Sequence, residues 1–121
     1  MMILAVETAT AHQSVAIVED GRVRACVEQQ VGSHGERLIP ALRQVVEMVG
    51  GALGGLDGLA VSAGPGSFTG LRVGLATVSA FRLVTGKPLV MVPTLEGLAW
   101  NLAGVDGRIC AILKARAGEV Y

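Results

Sequence analysis

Short apolar runs open the chain, and their period changes once. Residues 3–6 form a continuous apolar run, the pattern of a buried strand. A small polar stretch over residues 8–13 reads as a turn, and the β-branched run at 14–18 as a second strand. Asp20-Gly21 is a tight-hairpin signal, and residues 22–29 then alternate, with Val23, Ala25 and Val27 on one face. Three strands in a meander are predicted. From Ser33 the period becomes helical, with Glu36 at capping-box spacing and Pro40 inside the run, so the helix starts at Ser33 or nearer Ile39. Leu38, Leu42, Val45 and Val49 make its stripe, Ile39 and Val46 widen it, and Gly50-Gly51 ends it. A flexible segment with Gly54, Gly55 and Gly58 leads to a strand at 59–62. A second helix is expected over 67–85 with Gly86 as its stop, then a strand at 89–92. A third helix runs from a Thr94 cap towards Ala103, a strand occupies 108–113, and another begins at Glu119. The order βββαβαβα predicts an α/β fold, a mixed sheet carrying helices on its faces.

Composition narrows this picture. The chain has 121 residues, 51% hydrophobic but only 3% aromatic, so its core is built from Val, Leu, Ile and Ala. Charged residues make up 17%, below the roughly 25% of ordinary domains, which suggests that some surface is covered by something else. A net charge of zero argues against this chain alone being the main surface for a nucleic acid. Cys26 and Cys110 stand in no paired motif and read as small core residues of a reducing compartment. No secretory signal and no run of about 18 apolar residues is visible, so a cytoplasmic chain that crosses no membrane is the expectation.

The chemistry-bearing candidate is Gly64-Pro65-Gly66-Ser67, between a strand and a helix. Gly64 and Gly66 permit close backbone approach, Ser67 stands at the N-cap position, and Arg72 adds a cation one turn on. The amides of such a turn can hold a phosphate or carboxylate, and a tight capped connection with no ligand explains the same residues. The ending of a P-loop is absent. The helix that follows is apolar nearly all round. Phe68, Leu71, Leu75 and Val78 form one stripe, with Gly70, Gly74, Thr77 and Phe81 roughly opposite. Two such neighbouring helices predict a joint patch for a partner chain, or else each fills the space beside the other.

Four segments occur in an order that resembles the TsaB (YeaZ) family, whose members are often described as glycoprotease homologues. They are residues 3–10, Ser33-His34-Gly35-Glu36 with Leu38-Ile39-Pro40, the run from Gly64 to Gly74, and residues 115–121. The resemblance spans the chain, and the glycine-rich run is its most specific part. It implies an actin/Hsp70-like ATPase (ribonuclease H-like) fold of two related halves, with residues 1–105 as the first half and 106–121 as the start of the second. The predicted last strand breaks off at Tyr121 with no terminating signal, so a truncated form or proteolytic fragment of a longer protein is expected. It further implies a non-catalytic subunit pairing with TsaD and working with TsaE in making threonylcarbamoyladenosine in tRNA. Contact with tRNA would come only through the complex. No cofactor is expected on this chain alone, ATP or ADP could bind in the complex with TsaD, and homodimers are possible in isolation. The family's first two helices make the interface, which places His34, Leu38, Leu42, Val45, Phe68, Gly70, Leu71, Gly74, Leu75 and Val78 there. On that reading Leu42→Glu and Leu75→Glu break pairing. Glu7, Thr8, Gly64, Gly66, Ser67 and Arg72 are the possible anion contacts.

Two departures and three rivals stand beside this. Lys114 replaces the family's usual Asp, which weakens autonomous nucleotide hydrolysis, and Glu7 replaces a common Asp while keeping the carboxylate. A metalloprotease needs clustered ligands, whereas His12 and His34 lie in separate segments. A stand-alone ATPase or kinase could use Glu7, Thr8 and Thr10 after the first strand. Ala9 follows Thr8 where that loop usually has Gly, and both threonines suit plain turn capping. A scaffold unconnected to tRNA is the third.

Overall fold

The computed structural model describes residues 1–30, 32, 34–50 and 53–121. Its strands are β1 (Met2–Glu7), β2 (His12–Glu19), β3 (Arg22–Gln30), β4 (Gly58–Ser62) and β5 (Leu89–Val92). Its helices are α1 (His34–Met48), α2 (Phe68–Thr85) and α3 (Thr94–Trp100). The sheet order is β3-β2-β1-β4-β5. β1 runs antiparallel to β2 and parallel to β4, and β4 runs parallel to β5. The first three strands form the expected meander, and Asp20 and Gly21 both take positive φ (49° and 77°), as a two-residue hairpin turn requires.

Alternation along the strands sorts the two sheet faces. Leu4 and Val6 of β1, Val15 and Ile17 of β2, Ala25 of β3, and Leu59 and Val61 of β4 are buried on one face. Leu38, Ala41, Leu42 and Val45 of α1 and Val78 of α2 pack on them in one core cluster. Both helices therefore lie on the same side of the sheet, α1 over β2 and β3, α2 over β4. The other face has a floor of small residues, Ala5, Ala16, Ala60 and Cys26, with Glu7, Ser14, Glu28 and Ser62 beside it. Gly97, Leu98 and Asn101 of α3 line the same concavity.

α2 reaches the sheet closely because two glycines let it. A Cβ at Gly74 would stand 2.2 Å from Thr8 Oγ1, and one at Gly66 would stand 2.3 Å from the Ala9 carbonyl oxygen. The Ser67 hydroxyl caps the helix by accepting from Gly70 N–H at 3.2 Å, and Gly86 closes it in the left-handed region.

Several expectations are corrected. Residues 108–113 form no strand. Pairing there is short: the antiparallel Lys114–Val120 bridge is flanked by backbone hydrogen bonds of Leu113 with Tyr121 and of Ala115 with Glu119, and no described strand lies alongside 108–112 to extend it. Thr94 is the first helical residue rather than the cap. Pro93 holds the N-cap position, and the helix ends at Trp100 in turns instead of running to Ala103. Both cysteines are exposed, because Cys26 falls on the second sheet face and Cys110 in an open segment. The glycine-rich stretch before β4 is not loose. It holds a single 3₁₀ turn, Leu53–Gly55, after which Leu56 is buried and the Asp57 carboxylate accepts from Met2 N–H at 2.7 Å. α1 starts at His34 and carries Pro40 inside it. Ser33, the proposed cap, and Gly51, at the proposed stop, lie outside the described residues.

Three outcomes are expected. Gly74→Ala should lower stability by about 1–2 kcal/mol in chemical denaturation, the overpacking cost of about 1–3 kcal/mol exceeding Ala's helix advantage. Thr8→Ala should recover part of that loss in the double variant, and simple additivity of the two changes would contradict the contact. Leu42→Glu should unfold the chain, as circular dichroism would show, because it buries a carboxylate with no partner.

The Met1 ammonium pairs with the Asp20 carboxylate at 2.5 Å. Asp20 is held below the usual carboxylate range, first by that hydrogen bond and then by the amine's charge. The amine is raised, first by the bond to Asp20. Stability from the pair is therefore lost as pH falls through the lowered Asp20 value and as it rises through the raised amine value. An NMR titration of Asp20 should show the shift, and acetylating the amine should abolish it.

Candidate functional site: the glycine turn and the two-helix face

The turn from Gly64 to Ser67 joins three parts of the fold. Ser67 N–H donates to the Ala9 carbonyl at 2.7 Å, and Thr94 N–H donates to the Gly64 carbonyl at 2.8 Å. Ends of β1, α2 and α3 thus meet at one place, with the Gly64–Pro65 peptide cis. The Glu7 carboxylate accepts from Ala9 N–H at 2.5 Å, and Thr10 Oγ1 lies 3.3 Å from its second oxygen. The Thr10 hydroxyl lies closer, at 2.9 Å, to the His12 carbonyl, so the Ala9 amide is the main donor to Glu7.

Of the residues expected to touch an anion, Gly66 and Ser67 do meet the Thr8–Ala9 turn. The contact is protein to protein. Thr8 is 0% exposed, so its hydroxyl is closed to a ligand, which corrects that expectation. Thr8 Oγ1 has no hydrogen-bond partner among the described residues and sits against Gly74. The Ser67 hydroxyl is used by the cap, and its amide by Ala9. Arg72 lies over the Phe68 ring, 5.3 Å from the centroid, and Glu7 puts a carboxylate on the neighbouring turn. This arrangement builds a tight helix entry, and a negative charge beside it disfavours a second anion. Gly64 contributes its carbonyl to α3.

The residues expected at an interface divide by the side of the helix they occupy. Leu38, Leu42, Val45 and Val78 are in the core, and Gly70 and Gly74 are buried. Because both helices lie on one sheet face, their strongest apolar stripes are used inside the chain. Those six cannot reach a partner, and Leu42→Glu tests folding rather than pairing. Leu71 and Leu75 are half-buried, at the boundary. Phe68 is 73% exposed and open to contact. The His34 side chain lies outside what is described.

The outer face instead carries residues missed by stripe reading. Ile39 and Met48 of α1 and Leu83 and Val84 of α2 are exposed, as are Arg43, Arg72, Ala76 and Ser79. Ile39, Pro40, Arg43, Gln44 and Glu47 border a shallow groove. A signal was present in the sequence: Ile39 with Arg43 and Phe68 with Arg72 are each an apolar–arginine pair one turn apart. The Cys26 thiol is pushed above its ordinary value, first by partial desolvation on the sheet face and then by the Glu28 carboxylate. No group of three His, Cys, Asp or Glu that could hold a metal ion occurs among the described residues.

Comparison with known proteins agrees with this geometry. The family model described as TsaD, tRNA N6-adenosine threonylcarbamoyltransferase, matches residues 28–121. The tRNA threonylcarbamoyladenosine biosynthesis protein TsaB of Escherichia coli is 38% identical over 124 residues, covering 100% of this chain and 53% of that protein. The structure of YeaZ from Pseudomonas aeruginosa superposes with a TM-score of 0.79 at 31% identity, covering 84% of this chain and 49% of that one. A second structure, of a protein described as similar to peptidase YeaZ from Pseudomonas aeruginosa, gives a TM-score of 0.87 at 31% identity. It covers 99% of this chain and 56% of that one. The chain spans about half the length of the curated relatives it matches. With its α/β actin-like fold, its glycine turn and these relatives, the chain belongs to the TsaB/YeaZ family of tRNA threonylcarbamoyladenosine biosynthesis proteins.

Proposed function

We propose that this chain supplies the first half of a non-catalytic TsaB-type subunit, which docks onto a TsaD-type partner to support threonylcarbamoyladenosine formation in tRNA. Residues 1–105 would form the first actin-like half and residues 106–121 would open the second. The work would take place in the cytoplasm, with TsaE and tRNA engaged through the assembled complex. No helix among the described residues is long and apolar enough to cross a membrane.

One observation carries the docking part of this reading. The two helices fill the core with their inner rows and still expose Ile39, Phe68, Leu83 and Val84 on the other side. An isolated helix layer gains nothing from such exposure, whereas a docked one buries it. The non-catalytic part is supported at the turn after β1. The Glu7 carboxylate holds its own turn through the Ala9 amide, and the Thr8 hydroxyl is closed behind Gly74, so both have structural work there.

The test is co-purification of the full-length subunit with TsaD, with threonylcarbamoyl transfer to tRNA as the second readout. Ala76→Arg, on the exposed side of α2, should weaken pairing at least tenfold by placing a charge in a desolvated contact, while thermal stability stays close to wild type. Normal pairing of Ala76→Arg would remove α2 from the interface. Threonylcarbamoyl transfer by the subunit without TsaD would overturn the non-catalytic assignment.

A further inference from the structure

The charges on the two-helix face are uneven. α1 exposes Glu36, Arg37, Arg43 and Glu47, while α2 carries Arg72 and Arg82 and no acidic residue along its 18 residues. Four arginines against two glutamates give the layer a net charge of +2 in a chain whose total is zero. None of these four arginines forms an ion pair among the described residues, so their charge is free for a partner. The chain's described ion pairs all lie elsewhere, at Met1 and along the β2–β3 hairpin.

Arg72 is also ordered before any contact is made. Its guanidinium lies over the Phe68 ring, 5.3 Å from the centroid, so a cation–π contact joins two exposed side chains of one helix turn. Arg and aromatic residues of this kind dominate binding energy in interfaces, because a stacked arginine loses little freedom on meeting a carboxylate. α1 likewise exposes an arginine, Arg43, one turn after an exposed apolar residue, Ile39.

Resting on the docking reading above, we propose that the Phe68–Arg72 pair is the anchor of this face. It takes a protein surface that carries carboxylates next to apolar side chains, and its charge selects that heterologous surface over a second copy of this chain. A two-fold contact between copies sets the same patch against itself. When the two layers are superposed face to face, +2 meets +2, and two glutamates per copy cannot neutralise four arginines. Self-pairing through α1 and α2 is thereby penalised, while an acidic partner is attracted and steered. Two carboxylates and exposed Ile39, Phe68 and Leu83 on the same layer suit a protein rather than a nucleic acid, whose phosphates would meet Glu36 and Glu47.

The experiment measures binding of the full-length subunit to TsaD from the same genome by isothermal titration, and its self-association by analytical ultracentrifugation. Both are run in about 50 mM and about 500 mM NaCl, which spans strong to weak screening. The Kd for TsaD should rise about tenfold with salt, and Arg72→Glu should raise it by about tenfold or more at low salt. Arg72→Lys should cost roughly threefold, because the charge remains and the fork is lost. Self-association should move the opposite way, strengthening with salt and in Arg72→Glu. A Kd that ignores salt and Arg72→Glu, while Ala76→Arg still disrupts the complex, overturns the charge inference and leaves the docking reading standing. If Ala76→Arg has no effect either, both fall. Binding of tRNA to the subunit alone, lost in Arg72→Glu, would make this face an RNA surface and refute the proposal.

Discussion

The fold depends on how closely α2 approaches the end of β1. Between the backbone at Gly66, in the turn before α2, and at Gly74, within it, and the turn at Thr8 and Ala9 there is no space for a single methyl group. That contact holds α2 over β4 and fixes its rotation about its own axis, because turning another residue toward Thr8 brings a side chain into occupied volume. The hydrogen bond from Ser67 N–H to Ala9 fixes its height. The bond from Thr94 N–H to Gly64 then ties the start of α3 to the same point. A backbone hydrogen bond contributes roughly 1 kcal/mol net, so the two bonds alone would not hold such an arrangement against a clash. The glycines make it possible by removing the clash.

Once the rotation of α2 is set, the division of labour on the helix layer follows. Val78 turns inward with Leu38, Leu42 and Val45 of α1, and Phe68, Arg72, Ala76 and Leu83 turn outward. The low charge and high apolar content of the chain thus have two destinations on the same pair of helices. One is the core of this half. The other is a surface whose arginines distinguish one kind of neighbour from another.

Much of this was legible in the residues. Continuous apolar runs marked β1 and β4, Asp20-Gly21 marked the hairpin, and the cap at Ser67 and stop at Gly86 gave α2 its ends. Each is a local signal. The direction of the helix faces was harder to read, because a helix apolar nearly all round has no single stripe to orient it. Stripe spacing alone therefore points Leu38, Leu42, Val45 and Val78 at a partner, whereas the structure packs all four in the core. The informative positions were the arginines, Arg43 and Arg72, each one turn after an apolar residue. The sequence around Thr8 suggests hydroxyl chemistry, but its role is steric, set by Gly74 66 residues later. The apolar run at 108–113 has strand composition but no ladder beside it, and composition alone does not make hydrogen bonds. The two cysteines went astray because alternation in β3 puts Cys26 on the face opposite Ala25.

The second face of the sheet has a consequence for pairing register. Among the described residues β1 alone joins the antiparallel and parallel parts, with Ala5 opposite Ala16 on one side and Ala60 on the other. Sliding β1 by one residue would exchange its two faces. Leu4 and Val6 would leave the core, and Ala5 and Glu7 would enter it. The alanine floor would become a row of bulky side chains, and a carboxylate would be driven against α2. The difference in size and charge between alternate β1 residues therefore acts as an error check on both halves of the sheet at once, so that a misaligned central strand finds no compensating partner on either side.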